Sequence, residues 1–180
     1  MAEKPVKDLM VPLSDYVTVG VNATLFEAVQ ALEKAQANNE KGRHPHRAVL
    51  ILDANKNVVG KLSHHDIMRA LEPKYDHLEL TRFGYSRKFM ESLLEKYQLW
   101  EDSLDDICRK ANEKKVVNFM AKPTEAELIN ESAPLNLAIH QLLMGCHQSL
   151  LVMRADQVIG VLRLTDVFQE ISRMMKECKL

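Results

Sequence analysis

The sequence predicts an α/β (α+β) fold made of two copies of one β-α-β-β-α unit sharing a core, with a helical segment inserted between them. Three observations carry that expectation. The chain matches itself in four blocks that keep the same order. Short apolar runs of strand character alternate with amphipathic helical stretches. The length, 180 residues, suits one domain or two small ones, and a unit of about 60 residues buries too little apolar surface to stand comfortably alone.

The blocks set the order of elements. Val6-Lys7-Asp8-Leu9-Met10 returns 110 positions later as Val116-Val117-Asn118-Phe119-Met120, and Ala23 to Leu32 returns at the same offset as Ala133 to Leu142. Val49 to Leu52 then matches Leu150 to Met153, and Gly60-Lys61-Leu62-Ser63-His64-His65-Asp66-Ile67 matches Gly160 to Val167. The later offsets shrink to 101 and 100 because the first copy has a longer loop around Asn38 to Pro45. In each copy a short apolar stretch (Val17-Thr18-Val19; Leu128-Ile129) leads into a helix. The first helix starts near Asn22 to Thr24, where Thr24 and Glu27 have capping-box spacing, and lines up Leu25, Ala28, Val29 and Leu32. Its counterpart starts near Ser132, with Pro134 in the first turn. Two strands follow, Ala48 to Leu52 with Val58 to Leu62, and Ser149 to Met153 with Gln157 to Leu162. They are apolar on both faces, as strands covered by helices are. A closing helix runs from about His64 to Leu71 and from Thr165 to Met175. The expected organisation is residues 6–72, an insert at 73–115, and residues 116–176. In the insert Met90, Leu93, Tyr97, Trp100, Leu104, Ile107 and Ala111 form a helical stripe, read either as a cap on the repeats or as a dimer seam. Ser103 before Leu104-Asp105-Asp106 predicts a fresh helix start and therefore a hairpin.

Composition excludes several classes. Lys plus Arg is 24 and Asp plus Glu 25, a formal charge of −1, which argues against a polybasic nucleic-acid or membrane surface. Apolar runs of about five residues fall far short of the ~18 that span a bilayer. The N-terminus has no apolar signal-peptide region. Three widely spaced cysteines, Cys108, Cys146 and Cys178, support neither a disulfide framework nor zinc, and point to a reducing cytoplasm.

The block with chemical interest is Gly60-x-Leu62-Ser63-x-x-Asp66. A helix N-terminus offers unpaired N–H groups to a phosphate, and a carboxylate there can accept both hydroxyls of a ribose diol. The same spacing also makes a plain capping box. In the second copy Arg163 stands where Ser63 stands, while Asp166 keeps the place of Asp66.

The duplicated unit, the leading Val-x-x-Leu-Met and the Gly-x-Leu-Ser-x-x-Asp block resemble CBS domains, here as a tandem pair (a Bateman module) over residues 6 to 72 and 116 to 176. The resemblance implies two pseudo-twofold-related repeats with clefts that take adenosine compounds, AMP, ADP or ATP among them. It implies a regulatory sensor, not an enzyme, that forms a homodimer and shifts a dimer or protein-partner equilibrium with no catalytic cofactor, while charge balance and short apolar runs set nucleic acid and membrane aside. Carried over by position, the first site uses Asp66 for ribose, Ser63 for phosphate, Thr18 and Val19 beside adenine, and Arg47-Ala48 at the start of the second strand. His46 and His64 stand beside these. The second site uses Asp166, Ile129 and Ser149. Arg163 departs from the Ser/Thr pattern, and either holds a phosphate or pairs with Asp166 and closes the site. Lys41, Arg43, His44, His46 and Arg47 read as a solvated loop or as a cationic lip for a polyphosphate. His44, His46, His64 and His65 raise a metal site only if that loop folds over the helix start. An interaction scaffold without a ligand is the alternative function. For an enzyme there is no HExxH, Walker A loop or nucleophile elbow.

Overall fold

The computed structural model describes residues 4–37, 46–78 and 85–177. In chain order the elements are β1 (Val11–Pro12), β2 (Thr18–Gly20), α1 (Leu25–Ala37), β3 (Ala48–Leu52), β4 (Val58–Ser63) and α2 (His64–Leu71). After the intervening α3 (Arg87–Tyr97) and α4 (Leu104–Glu113) come β5 (Leu128–Asn130), α5 (Leu135–Met144), β6 (Ser149–Arg154), β7 (Gln157–Arg163) and α6 (Leu164–Glu177). One sheet has the order β2-β3-β4 and the other β1-β7-β6-β5. In both, a short strand runs parallel to the next long one, which pairs antiparallel with its successor. The repeated sequence blocks thus produce repeated pairing.

The helices start where local chemistry favours them. Thr24 Oγ1 accepts from the Glu27 amide at 3.2 Å while Glu27 accepts from the Thr24 amide at 2.7 Å, so α1 opens on the expected capping box. The start of α5 differs from the expectation. Pro134 is extended at the N-cap, one place before the first turn, and Asn130 Oδ1 holds the Ser132 amide and hydroxyl at 2.9 and 2.6 Å. That Asx turn carries the chain away from β5 and delays the helix.

The two halves exchange their leading segments. Val6, from the first copy, is fully buried with Ile129, Leu135, Leu150 and Leu162 of the second. Val116, its counterpart, is fully buried with Leu25, Val49, Ile51 and Leu62 of the first. The backbone bonds mirror each other: Val6 N donates to Ala133 O and Leu135 N to Lys4 O, while Val116 N donates to Ala23 O and Leu25 N to Lys114 O, all between 2.9 and 3.0 Å. The second bond of each set supplies a partner to a helix N-terminus, which lacks one internally. β1 pairs with β7, as Ala121 pairs with Lys61 on β4. A third apolar cluster, Val11, Tyr16, Leu50, Leu151 and Val161, joins the two sheets.

Between the halves, Ser103 Oγ accepts from the Asp106 amide at 3.2 Å and starts α4, which lies on α1 and α2. The apolar stripe of this segment is divided. Leu99 is buried and the Trp100 amide donates to the buried Glu72 carboxylate at 2.8 Å, whereas Met90 on α3 and Leu104 are exposed.

Candidate functional site

The β4–α2 junction realises the capping box in full. Ser63 Oγ accepts from the Asp66 amide at 3.2 Å, and Asp66 Oδ2 accepts from the Ser63 amide at 2.8 Å and from its hydroxyl at 2.6 Å. Among the described residues Oδ1 of Asp66 has no hydrogen-bond partner. At the matching β7–α6 junction Arg163 replaces the hydroxyl. Its Nε donates to Asp166 Oδ2 at 2.6 Å and its Nη2 to Oδ1 at 2.5 Å, so both carboxylate oxygens are engaged. The two copies use the same carboxylate differently.

Three hollows surround these junctions. Asp66 lines one of about 200 Å³, with Arg69 and with Asn118, Phe119 and Met120 from the exchanged leading segment of the second copy. Its pseudo-symmetric counterpart, about 590 Å³, has Asp166, Gln169, Asp8, Leu9 and Met10 in the equivalent places. Between them a cavity of about 250 Å³ is lined by Arg47-Ala48 and Gln148-Ser149 at the starts of β3 and β6, and by Ser63, Lys61, Arg163, His147 and Tyr16. The Ser63–Asp66 box therefore forms a wall, with its hydroxyl residue on the central cavity and its carboxylate residue on the flanking hollow.

Burial and charge tune this region. Burial pushes the Tyr16 hydroxyl up to about 12; nearby Arg163 opposes the shift and Asp166 adds to it. Lys61 forms an ion pair with Glu127 across the two halves. Burial pushes Glu127 up, and the Lys61 hydrogen bond and charge outweigh it, so its carboxyl stays below the ordinary 4.5. In the larger hollow Glu170 is held down to about 2 by hydrogen bonds from Arg173 and Lys4.

The residues singled out from sequence are distributed unequally. Arg47, Ala48, Ser63, Ser149 and Arg163 meet at the central cavity, while Asp66 and Asp166 line the flanking hollows. His46 meets the Tyr16 ring edge-on at 4.4 Å, beside that cavity. Thr18 and Val19 lie on β2 opposite Leu50 and Ile51, with Val19 packed on the first core, and Ile129 is buried in the second. His64 lines a separate apolar hollow of about 360 Å³ between α1 and α2, with Ile67 and Met68. Lys41, Arg43 and His44 lie outside the described residues. Sequence reasoning passed over Tyr16, Lys61, His147 and Asn118 to Met120. The last three sit in a block that the repeat had already marked, but only the exchange brings them beside Asp66. Among the described residues no three His, Cys, Asp or Glu side chains are placed to share a metal, and no helix is long and apolar enough to cross a membrane.

Comparison with known proteins fits this geometry. The CBS domain family matches residues 6–73. CBSX2 in complex with AMP superposes with a TM-score of 0.62 at 20% identity, covering 94% of this chain and 97% of that one. Residues 6–73 are a CBS domain, and the whole chain is folded as a CBS pair. The CBS-pair protein CBSX2 from Arabidopsis thaliana gives 0.59 at 18% identity, covering 96% of both chains. The CBS domain of a bacterial CNNM/CorC family Mg2+ transporter in complex with ATP gives 0.62 at 14% identity, covering 95% of this chain and 89% of that one. No curated protein sequence matches. At these identities the likeness speaks for the fold, and the second CBS unit follows from it and from the internal repeat.

Proposed function

We propose that this CBS pair is a regulatory, non-catalytic module that binds an adenosine nucleotide, AMP, ADP or ATP, at the Ser63–Asp66 wall. The observation that carries this reading is the wall itself: on one side an acceptor oxygen that has no partner among the described residues, on the other a cationic cavity. Asp66 accepts the ribose hydroxyls there, and Ser63, Arg47 and Lys61 meet the phosphate. The β2 backbone at Thr18 and Val19 and the start of β3 at Ala48 border the base, with His46 at the rim. The AMP and ATP complexes of the two CBS neighbours support the ligand class.

The reading includes a homodimer. Positions Glu33, Gln36, His64 and Met68 on the α1/α2 face correspond to Leu143, Cys146, Leu164 and Phe168 on the α5/α6 face, and α4 packs on the former. Leu143, Met144 and Phe168 are exposed there, an apolar surface suited to a second copy. Ligand acts by its differential affinity for two states of that dimer or of a protein partner. Exposed, unpaired Cys108 and Cys146 suit a reducing cytoplasm.

Titration calorimetry with AMP, ADP and ATP tests the ligand, and saturable binding is expected. No heat from any of the three at millimolar concentration overturns the nucleotide reading. A stable dimer without ligand binding would favour the interaction scaffold.

A further inference from the structure

Among the differences between the second cleft, at Asp166, and the first, at Asp66, two matched positions each add an internal ion pair. Ser63 becomes Arg163, which engages both oxygens of Asp166 from a side chain that is only 7% exposed. Ala70 becomes Glu170, 7% exposed, held by Arg173 at 2.7 Å and Lys4 at 2.8 Å. Among the described residues Asp66 in the first cleft is bridged only by its own N-cap residue and keeps an acceptor free. A bidentate guanidinium–carboxylate pair presents the same two acceptors to two donors as a cis-diol would meet. Such a pair, once buried, is costly to break, because separation leaves a desolvated charge on each side.

We infer that Arg163 is a built-in competitor for the second cleft: its guanidinium takes the place of the ribose diol on Asp166 and limits the module to one nucleotide per chain. This rests on the nucleotide reading of the first cleft. Arg163 is a specificity-determining residue here, and Arg163→Ser restores the hydroxyl that caps α2 in the first copy. The substitution leaves Asp166 the capping partner that Asp66 already has, so α6 keeps a sound start.

The test is stoichiometry by titration calorimetry with AMP and with ATP on the full chain. The wild type is expected to bind one equivalent, Arg163→Ser two, Asp66→Asn none, and the double variant one. Two equivalents in the wild type, or saturable binding retained by Asp66→Asn, overturns the inference without any use of the Arg163 variant. One equivalent in both the wild type and a folded Arg163→Ser protein also overturns it, while leaving the nucleotide reading intact. Binding by Arg163→Ser alone supports the competitor role and overturns the first cleft as a site. No binding by either protein overturns both readings.

Discussion

Among the described residues Asp66 divides its two oxygens between the fold and open space, whereas Asp166 and Glu170 in the second half have both oxygens engaged. That difference is set by single residues. Glu170, the third of these carboxylates, carries a pH prediction. Hydrogen bonds from Arg173 and Lys4 hold its carboxyl near 2 against an ordinary 4.5. A carboxylate with a lowered folded-state pKa stabilises the fold above its unfolded-state value and loses that contribution as pH falls through the window between them. Urea midpoints should therefore fall between about pH 5 and pH 2, and Glu170→Gln should be less stable at neutral pH yet show a shallower acid dependence. An identical slope in the variant would sink the assignment. At this scale much of the candidate site was legible, because Ser63, Asp66, Arg163 and Asp166 belong to one repeated motif. His64 shows the limit. One step along a helix rotates a side chain by about 100°, enough to move it from the cavity to the outer face. Ile129 and Val19 show another: apolar residues on a short strand serve the core first.

At the scale of elements, the glycine that opens each motif has a packing reason. Each lies opposite a strand irregularity, Gly60 across from Ile51 and Gly160 across from Val152, and each admits the exchanged leading segment of the other copy. A Cβ on Gly160 would stand 2.6 Å from the Val11 carbonyl oxygen, part of the backbone of β1. A Cβ on Gly60 would meet the Met120 side chain, which can rotate away. Gly160→Ala should cost about 1–3 kcal/mol and Gly60→Ala less, by chemical denaturation. Equal costs would show that β1 yields as easily as a methionine. The repeat made both glycines visible in the sequence, but not what they admit. Self-similarity shows that two segments fold alike, and says nothing about which sheet a leading strand joins. The division of the insert stripe was hidden for a similar reason, since helical spacing marks an apolar face without naming what covers it. Glu72, the buried carboxylate that holds the Trp100 amide, lies outside that periodicity.

The exchange has its largest consequence for the whole molecule. Each core contains a fully buried valine from the other copy, and a third cluster spans both sheets. Loss of one half would expose Val6 or Val116 and strip backbone partners from an opposite helix start. Such interlocking predicts one cooperative unfolding transition, which the single tryptophan can test. Trp100 lies against Tyr75, its indole N–H donating to the phenol at 3.1 Å, on the side of the first half. Val6 is buried in the second. Val6→Ala removes two buried carbon centres and leaves a cavity, at a cost of about 2 kcal/mol. Were the halves independent, Trp100 fluorescence would ignore that substitution while far-ultraviolet dichroism registered it. The exchanged architecture requires both signals to move together, to the same lower denaturant midpoint, in the variant as in the wild type. Separate midpoints for the two probes would show that the leading segments join the halves only weakly.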